Sequence, residues 1–137
     1  MADEKEDQKP AAGDVIDGLM LNVARTRVAL GAAAFAAPGL TVKLMGMGGG
    51  ADAGRDYVTR MFAAREIALG AGYLLSKGSG RKIWARLGLV VDTLDTVNGL
   101  QSRGRLPLWV TASAVAIAGG TAAAGAAKVT KDVLARS

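Results

Sequence analysis

The chain has 137 residues, half of them hydrophobic but only 4% aromatic, and a formal net charge of +5. One domain is the natural expectation, and a Gly- and Ala-rich chain poor in aromatics suits close-packed helices better than a β-sandwich. Cysteine and histidine are absent, which excludes disulfides, thiolate nucleophiles, His-ligated zinc or haem and a Ser-His-Asp triad.

Residues 1–13, MADEKEDQKPAAG, hold no large apolar side chain beyond Met1 and read as a disordered acidic tail on the cytoplasmic side. They lack the basic start of a secretory signal. Asp14 is a plausible N-cap for VIDGLMLNVARTR, in which Val15, Ile16, Leu19, Met20 and Val23 recur at helical spacing. This stretch suits the membrane interface, with Arg25 and Arg27 marking its boundary. A first span is expected over 28–45, bent or broken at Pro38, with Lys43 snorkelling outward. The glycines of GMGGGADAGRD demand a loop. A second span follows over 58–76, and KGSGRK forms a basic turn. A third span occupies 83–100, QSRGRLP turns the chain, and a fourth covers 107–127. Only the fourth is free of charge over a full bilayer thickness. A basic cytoplasmic tail, 128–137, ends the chain.

The expected fold is therefore all-α: a polytopic membrane four-helix bundle, 14–127, N-in and C-in, with a polar hairpin between helices two and three. A soluble four-helix bundle is the competing reading, because three segments are interrupted by charge. The membrane is favoured by charge asymmetry. With the N-terminus inside, eleven Lys and Arg fall on the cytoplasmic side and five on the other, Arg65 lying within a span. Trp84, Trp109 and Tyr73 sit at expected interface positions. The fourth segment is apolar on every face.

Two aspartates stand inside the third segment, GLVVDTLDTV. On a helix, Asp92 and Asp95 share a narrow stripe with Gly88, Thr96 and Gly99, which should face another helix. In an antiparallel hairpin with the second segment, Asp95 comes level with Arg65, and Thr96 with Glu66. The expected site is an intramembrane polar network of Arg65, Glu66, Asp92 and Asp95. It is two positive charges short. A proton, a cation, Arg60 or a group from another chain would have to compensate. The network reads as a polar staple fixing helix register, as a proton or cation relay, or as a docking surface. Ala112, Ala116, Gly120 and Ala124, spaced by four, form an expected helix-packing seam, with plain alanine richness as the alternative.

Catalytic, cofactor-binding and metal-binding residues are not expected. KGSGRK lacks the spacing of a phosphate loop, and GMGGG the context of a dinucleotide fingerprint. Met45 and Met47 alone make a poor metal site. The scattered basic groups, without interleaved aromatics, argue against nucleic acid. Lys77, Arg81 and Lys82 suit anionic lipid headgroups. VALGA (28–32) and IALGA (67–71) form a weak internal echo on helices of opposite direction, as in inverted repeats, which chance in a low-complexity chain explains better.

RMFAAREIALGAGYLL followed by RLGLVVDTLDTVNGL resembles a family of uncharacterised small four-span membrane proteins found in actinobacteria. Arg65, Glu66 and Gly70, Asp92 and Asp95, and Ala37-Pro38 carry the likeness, over roughly 28–127. The resemblance implies topology and a plasma (inner) membrane location, and no activity. The functional expectation is a non-catalytic accessory or assembly subunit of a larger membrane complex, such as a transport complex. The second reading is a small oligomeric proton- or cation-coupled carrier using Glu66, Asp92 and Asp95. An enzyme with paired carboxylates is disfavoured, because loops this short wall off no substrate pocket.

Overall fold

The computed structural model describes residues 11–136. Among them are five helices: α1 (Ala12–Ala36), α2 (Pro38–Leu44), α3 (Ala53–Leu75), α4 (Gly78–Gln101) and α5 (Leu108–Leu134). The four-helix membrane bundle expected from the sequence is not what the chain forms. Two helices, α1 and α5, are long and apolar enough to cross a membrane. The charges of α3 (Arg55, Asp56, Arg60, Arg65, Glu66) and α4 (Arg81, Lys82, Arg86, Asp92, Asp95) keep those helices below that threshold.

The extra helix comes from Pro38. Proline cannot continue a helix, because it lacks the N–H and its ring clashes with the preceding turn, but it suits a first helical position. α1 ends at Ala36, Ala37 leaves the helical region at φ −132°, and Pro38 opens α2. The boundary expected at Arg25 and Arg27 does not exist. Nothing there interrupts the backbone, and one uninterrupted α1 replaces the separate interfacial helix and the start of the first span. Residues 1–10 of the expected acidic tail lie outside the described residues, while Ala12 and Gly13 already belong to α1.

The remaining joints follow turn chemistry. Gly46, Gly48 and Gly50 have positive φ in the α2–α3 loop, which only glycine adopts at little cost. Asp52 caps α3 by accepting from the Arg55 N–H at 2.9 Å. The α3–α4 joint is shorter than expected: Ser76 and Lys77 are extended, and Gly78 starts α4 with φ +53°. At the other end, residues 128–134 are not a tail but the last turns of α5.

α3 packs antiparallel on α1, and α5 antiparallel on α4. α1 also touches α5, and α3 touches α4, so the four long helices close a ring. The α1–α3 crossing is tight. A Cβ at Gly31 would stand 2.8 Å from the Ala63 carbonyl, and one at Gly70 would stand 2.5 Å from the Ala24 carbonyl. The same two glycines meet each other's helix through Ile67 and Val28. The contacts are thus reciprocal: Ala24, Arg27, Val28 and Gly31 of α1 correspond to Ala63, Glu66, Ile67 and Gly70 of α3. The VALGA and IALGA segments cross one another as an inverted pair.

Beside this crossing lies a small core of Met20, Ala24, Tyr73, Ala85 and Ala124, flanked by Trp84. Tyr73 is therefore a core residue, and Trp84 packs half-buried against that core. Tyr73 is 3% exposed, and the Trp84 ring lies flush against Gly72, where a Cβ would come within 2.3 Å of it. Trp109 is exposed beside Gly46.

Candidate functional site

The polar residues gather where α1, α3 and α4 meet. Arg27 reaches in from α1. Its Nη1 donates to Glu66 Oε2 at 2.5 Å, and its Nη2 donates to both carboxylate oxygens of Asp92, at 2.5 Å for Oδ2. Arg65 of α3 faces Asp95 of α4 through Nη2–Oδ2 at 2.7 Å and Nη1–Oδ1 at 3.2 Å. Its Nη2 also lies 3.4 Å from Glu66 Oε1. The five side chains form one chain of contacts in the order Asp92, Arg27, Glu66, Arg65, Asp95.

Burial grades along this chain. The side chains of Arg27, Glu66 and Asp92 are 11%, 10% and 6% exposed, whereas Arg65 and Asp95 are 35% and 32% exposed. Planar guanidinium groups suit such a chain, because each satisfies two acceptors at fixed angles. Arg65 also stacks on Phe62, 4.7 Å from the ring centre. Thr96, expected level with Glu66, donates its hydroxyl to the Asp92 carbonyl at 2.7 Å.

Arg27 is the residue that sequence reasoning missed. In the sequence it stands with Arg25 as the boundary after an amphipathic stretch. One signal pointed the other way: Arg27 precedes VALGA as Glu66 precedes IALGA, so the echo set opposite charges at equivalent positions. Arg60, the alternative cation, is exposed and donates to the Phe35 carbonyl at 3.3 Å.

The expected seam on α5 divides. Ala124 is buried, while Ala112, Ala116 and Gly120 are exposed. Within the chain, α5 instead presents Thr111, Ala124 and Gly125 inward, with Gly125 against Leu89. Of the three basic residues expected at headgroups, Lys77 is exposed, and Arg81 donates to the Tyr73 carbonyl at 3.2 Å and lies 5.1 Å over the Tyr73 ring. Lys82 is half-buried.

A second cluster ties the start of α1 to the end of α5. Lys128 Nζ pairs with Asp132 at 2.8 Å and Asp17 at 3.1 Å, and Lys131 Nζ pairs with Asp17 at 2.5 Å. Between the two clusters is a partly open crevice of about 20 Å³, whose walls include Arg27, Asp92, Tyr73, Gly88 and Thr121. That is room for about one water molecule. Among the described residues, no group of three or more His, Cys, Asp or Glu is arranged to hold a metal ion.

This arrangement holds charge in the interior and connects three helices. No protein-family model, no curated protein and no solved structure matches the chain.

Proposed function

We propose that the protein is a multi-pass component of the plasma membrane and serves as a non-catalytic accessory or assembly subunit of a larger membrane complex. One observation carries this reading. The apolar stretches of α1 and α5 are only 22% buried within the chain. The core helix of a soluble protein hides most of such a surface, and large uncovered apolar faces mark contact with lipid or protein. Leu30 and Phe35 of α1, and Leu108 and Ile117 of α5, point outward.

The inverted direction of α1 and α5 brings the N-terminus of the first beside the C-terminus of the second, as the Lys131–Asp17 pair records. Lys77, Arg81, Lys82 and Arg86 belong to the same end, so the positive-inside rule supports both termini on the cytoplasmic side. Those side chains meet anionic headgroups there. The outward Ala112, Ala116 and Gly120 of α5 suit close approach of a helix from a partner subunit.

Membrane fractionation with an alkaline wash, followed by gentle-detergent purification through a C-terminal tag, tests this reading. The expected product is wash-resistant and carries a stoichiometric membrane partner that Ala116→Leu removes. A soluble monomer would refute the membrane placement, and a lone oligomer would refute the accessory role.

A second reading, a small proton- or cation-coupled carrier, is supported by a separate observation. The polar network lies at the crossing of an inverted helix pair, the place where transporters built from inverted repeats hold their coupling ions.

A further inference from the structure

We infer that the outer face of α4 docks against the same face of a second copy of this chain, the two helices running parallel as a short coiled coil.

The first observation is a spacing. Ile83, Leu87, Val90, Leu94 and Val97 follow one another at steps of four, three, four and three residues. That alternation repeats every 3.5 residues, the seam along which helices supercoil around one another. All five are large aliphatic side chains within one uninterrupted helix, and they are 44–62% exposed. The chain's own interior is met by the opposite side of α4, through Ala85, Gly88 and Asp92. The stripe is also narrow. Arg86, Thr93 and Asn98 flank it and are exposed. A helix apolar all round suits lipid, whereas a stripe two positions wide in every seven, with polar flanks, is the seam for another helix.

The occupant follows from the pattern, the area and the charge. Side chains of one helix interlock with gaps of the same spacing on the other. Among the described residues, the exposed large apolar side chains of α1, α3 and α5 do not repeat this spacing, so α4 of a second copy is the matching surface, with the same patch on both partners. The five side chains expose roughly 500 Å² per copy, and two copies together bury roughly 1,000 Å², the size from which specific interfaces begin. No charge crosses the seam. In a parallel pair the two Arg86 side chains lie on opposite sides of it, so they do not meet. The parallel direction rests on the membrane placement proposed above, since copies inserted with the same ends inside carry α4 the same way. The docking face itself does not rest on it. It also lies on a different helix from the Ala112, Ala116 and Gly120 face offered to a partner subunit.

The chain has no cysteine, so single introduced thiols report cleanly. The test oxidises Ile83→Cys, Val90→Cys and Val97→Cys versions of the full chain in membranes and sizes them without reductant. All three should give a product of twice the chain mass, lost on reduction and lost when Leu94→Glu is added. Thr93→Cys on the flank and Ile117→Cys on α5 should give none. Links that form nowhere, equally at Ile117→Cys, or at Val90→Cys alone as in an antiparallel pair, would overturn the inference. The thiol variants change only exposed side chains, so they decide the matter even if Leu94→Glu fails to fold. An alkaline wash of the same samples separates the two claims. Protein released by the wash that still links at all three positions rejects the membrane placement and keeps the docking face. Wash-resistant protein that links nowhere does the reverse.

Discussion

The two helix pairs are joined by different means. α1 and α3 cross backbone to backbone, with Gly31 and Gly70 under the Ala63 and Ala24 carbonyls and an Arg–Glu contact between equivalent positions. α4 and α5 meet through side chains, with a Cβ at Gly125 standing 3.4 Å from Leu89 and one at Gly99 standing 3.0 Å from a Val115 methyl. The first joint has no slack and carries the Arg27–Glu66 pair. The second tolerates repacking and leaves much of α5 bare. The five-membered polar network is therefore anchored on the α1–α3 crossing and its contact with Asp92, while exposed apolar side chains occur on all four long helices.

Substitutions sharpen that contrast. Arg27→Leu should have the largest effect, because it strands Glu66 and Asp92 together. A loss of about 3–5 kcal/mol is expected on breaking a buried ion pair from one side, read by denaturant unfolding in detergent. Arg65→Leu should cost less, since Arg65 and Asp95 are each about one-third exposed. Gly70→Ala comes next. Alanine is normally the better helix residue by about 1 kcal/mol, yet here its Cβ would strike the Ala24 carbonyl, so a net loss of about 2 kcal/mol is expected from overpacking. Lys128→Ala releases Asp132 and one of the two contacts to Asp17, at about 1–3 kcal/mol for a charged group left without its partner. The smallest change has the opposite sign. Gly120→Ala, with nothing within 4 Å of the added methyl, should stabilise α5 by about 0.5–1 kcal/mol. Thermal unfolding of the two glycine variants side by side would break the comparison if they shifted the same way.

Sequence periodicity located most helical residues, because apolar spacing and glycine-rich loops are local signals. It misjudged what depends on three dimensions. Pro38 allows either a bend or a break in the sequence, and in three dimensions it is a break that begins a separate helix. Arg25 and Arg27 were read together as a boundary. They are separated by about 200° on a helix, which sends Arg25 to the exterior and Arg27 to Glu66 and Asp92. The Arg65–Asp95 depth match follows from hairpin geometry, since a loop as short as KGSGRK forces an antiparallel register. The inward face of α5 was not legible. Alanine and glycine fill it so evenly that several stripes look alike, and only packing against Leu89 and Val115's contact with Gly99 select one.

The direct test of the central claim, that Arg27 closes the polar network from within the same chain, is a comparison of three unfolding free energies in detergent. These are the parent, Arg27→Leu, and Arg27→Leu combined with Glu66→Leu and Asp92→Leu. Replacing a whole buried ionic group with apolar side chains is often neutral, whereas removing one member is not. The account predicts that Arg27→Leu is far less stable than the parent and that the triple variant regains most of the loss. An Arg27→Leu protein as stable as the parent would contradict it.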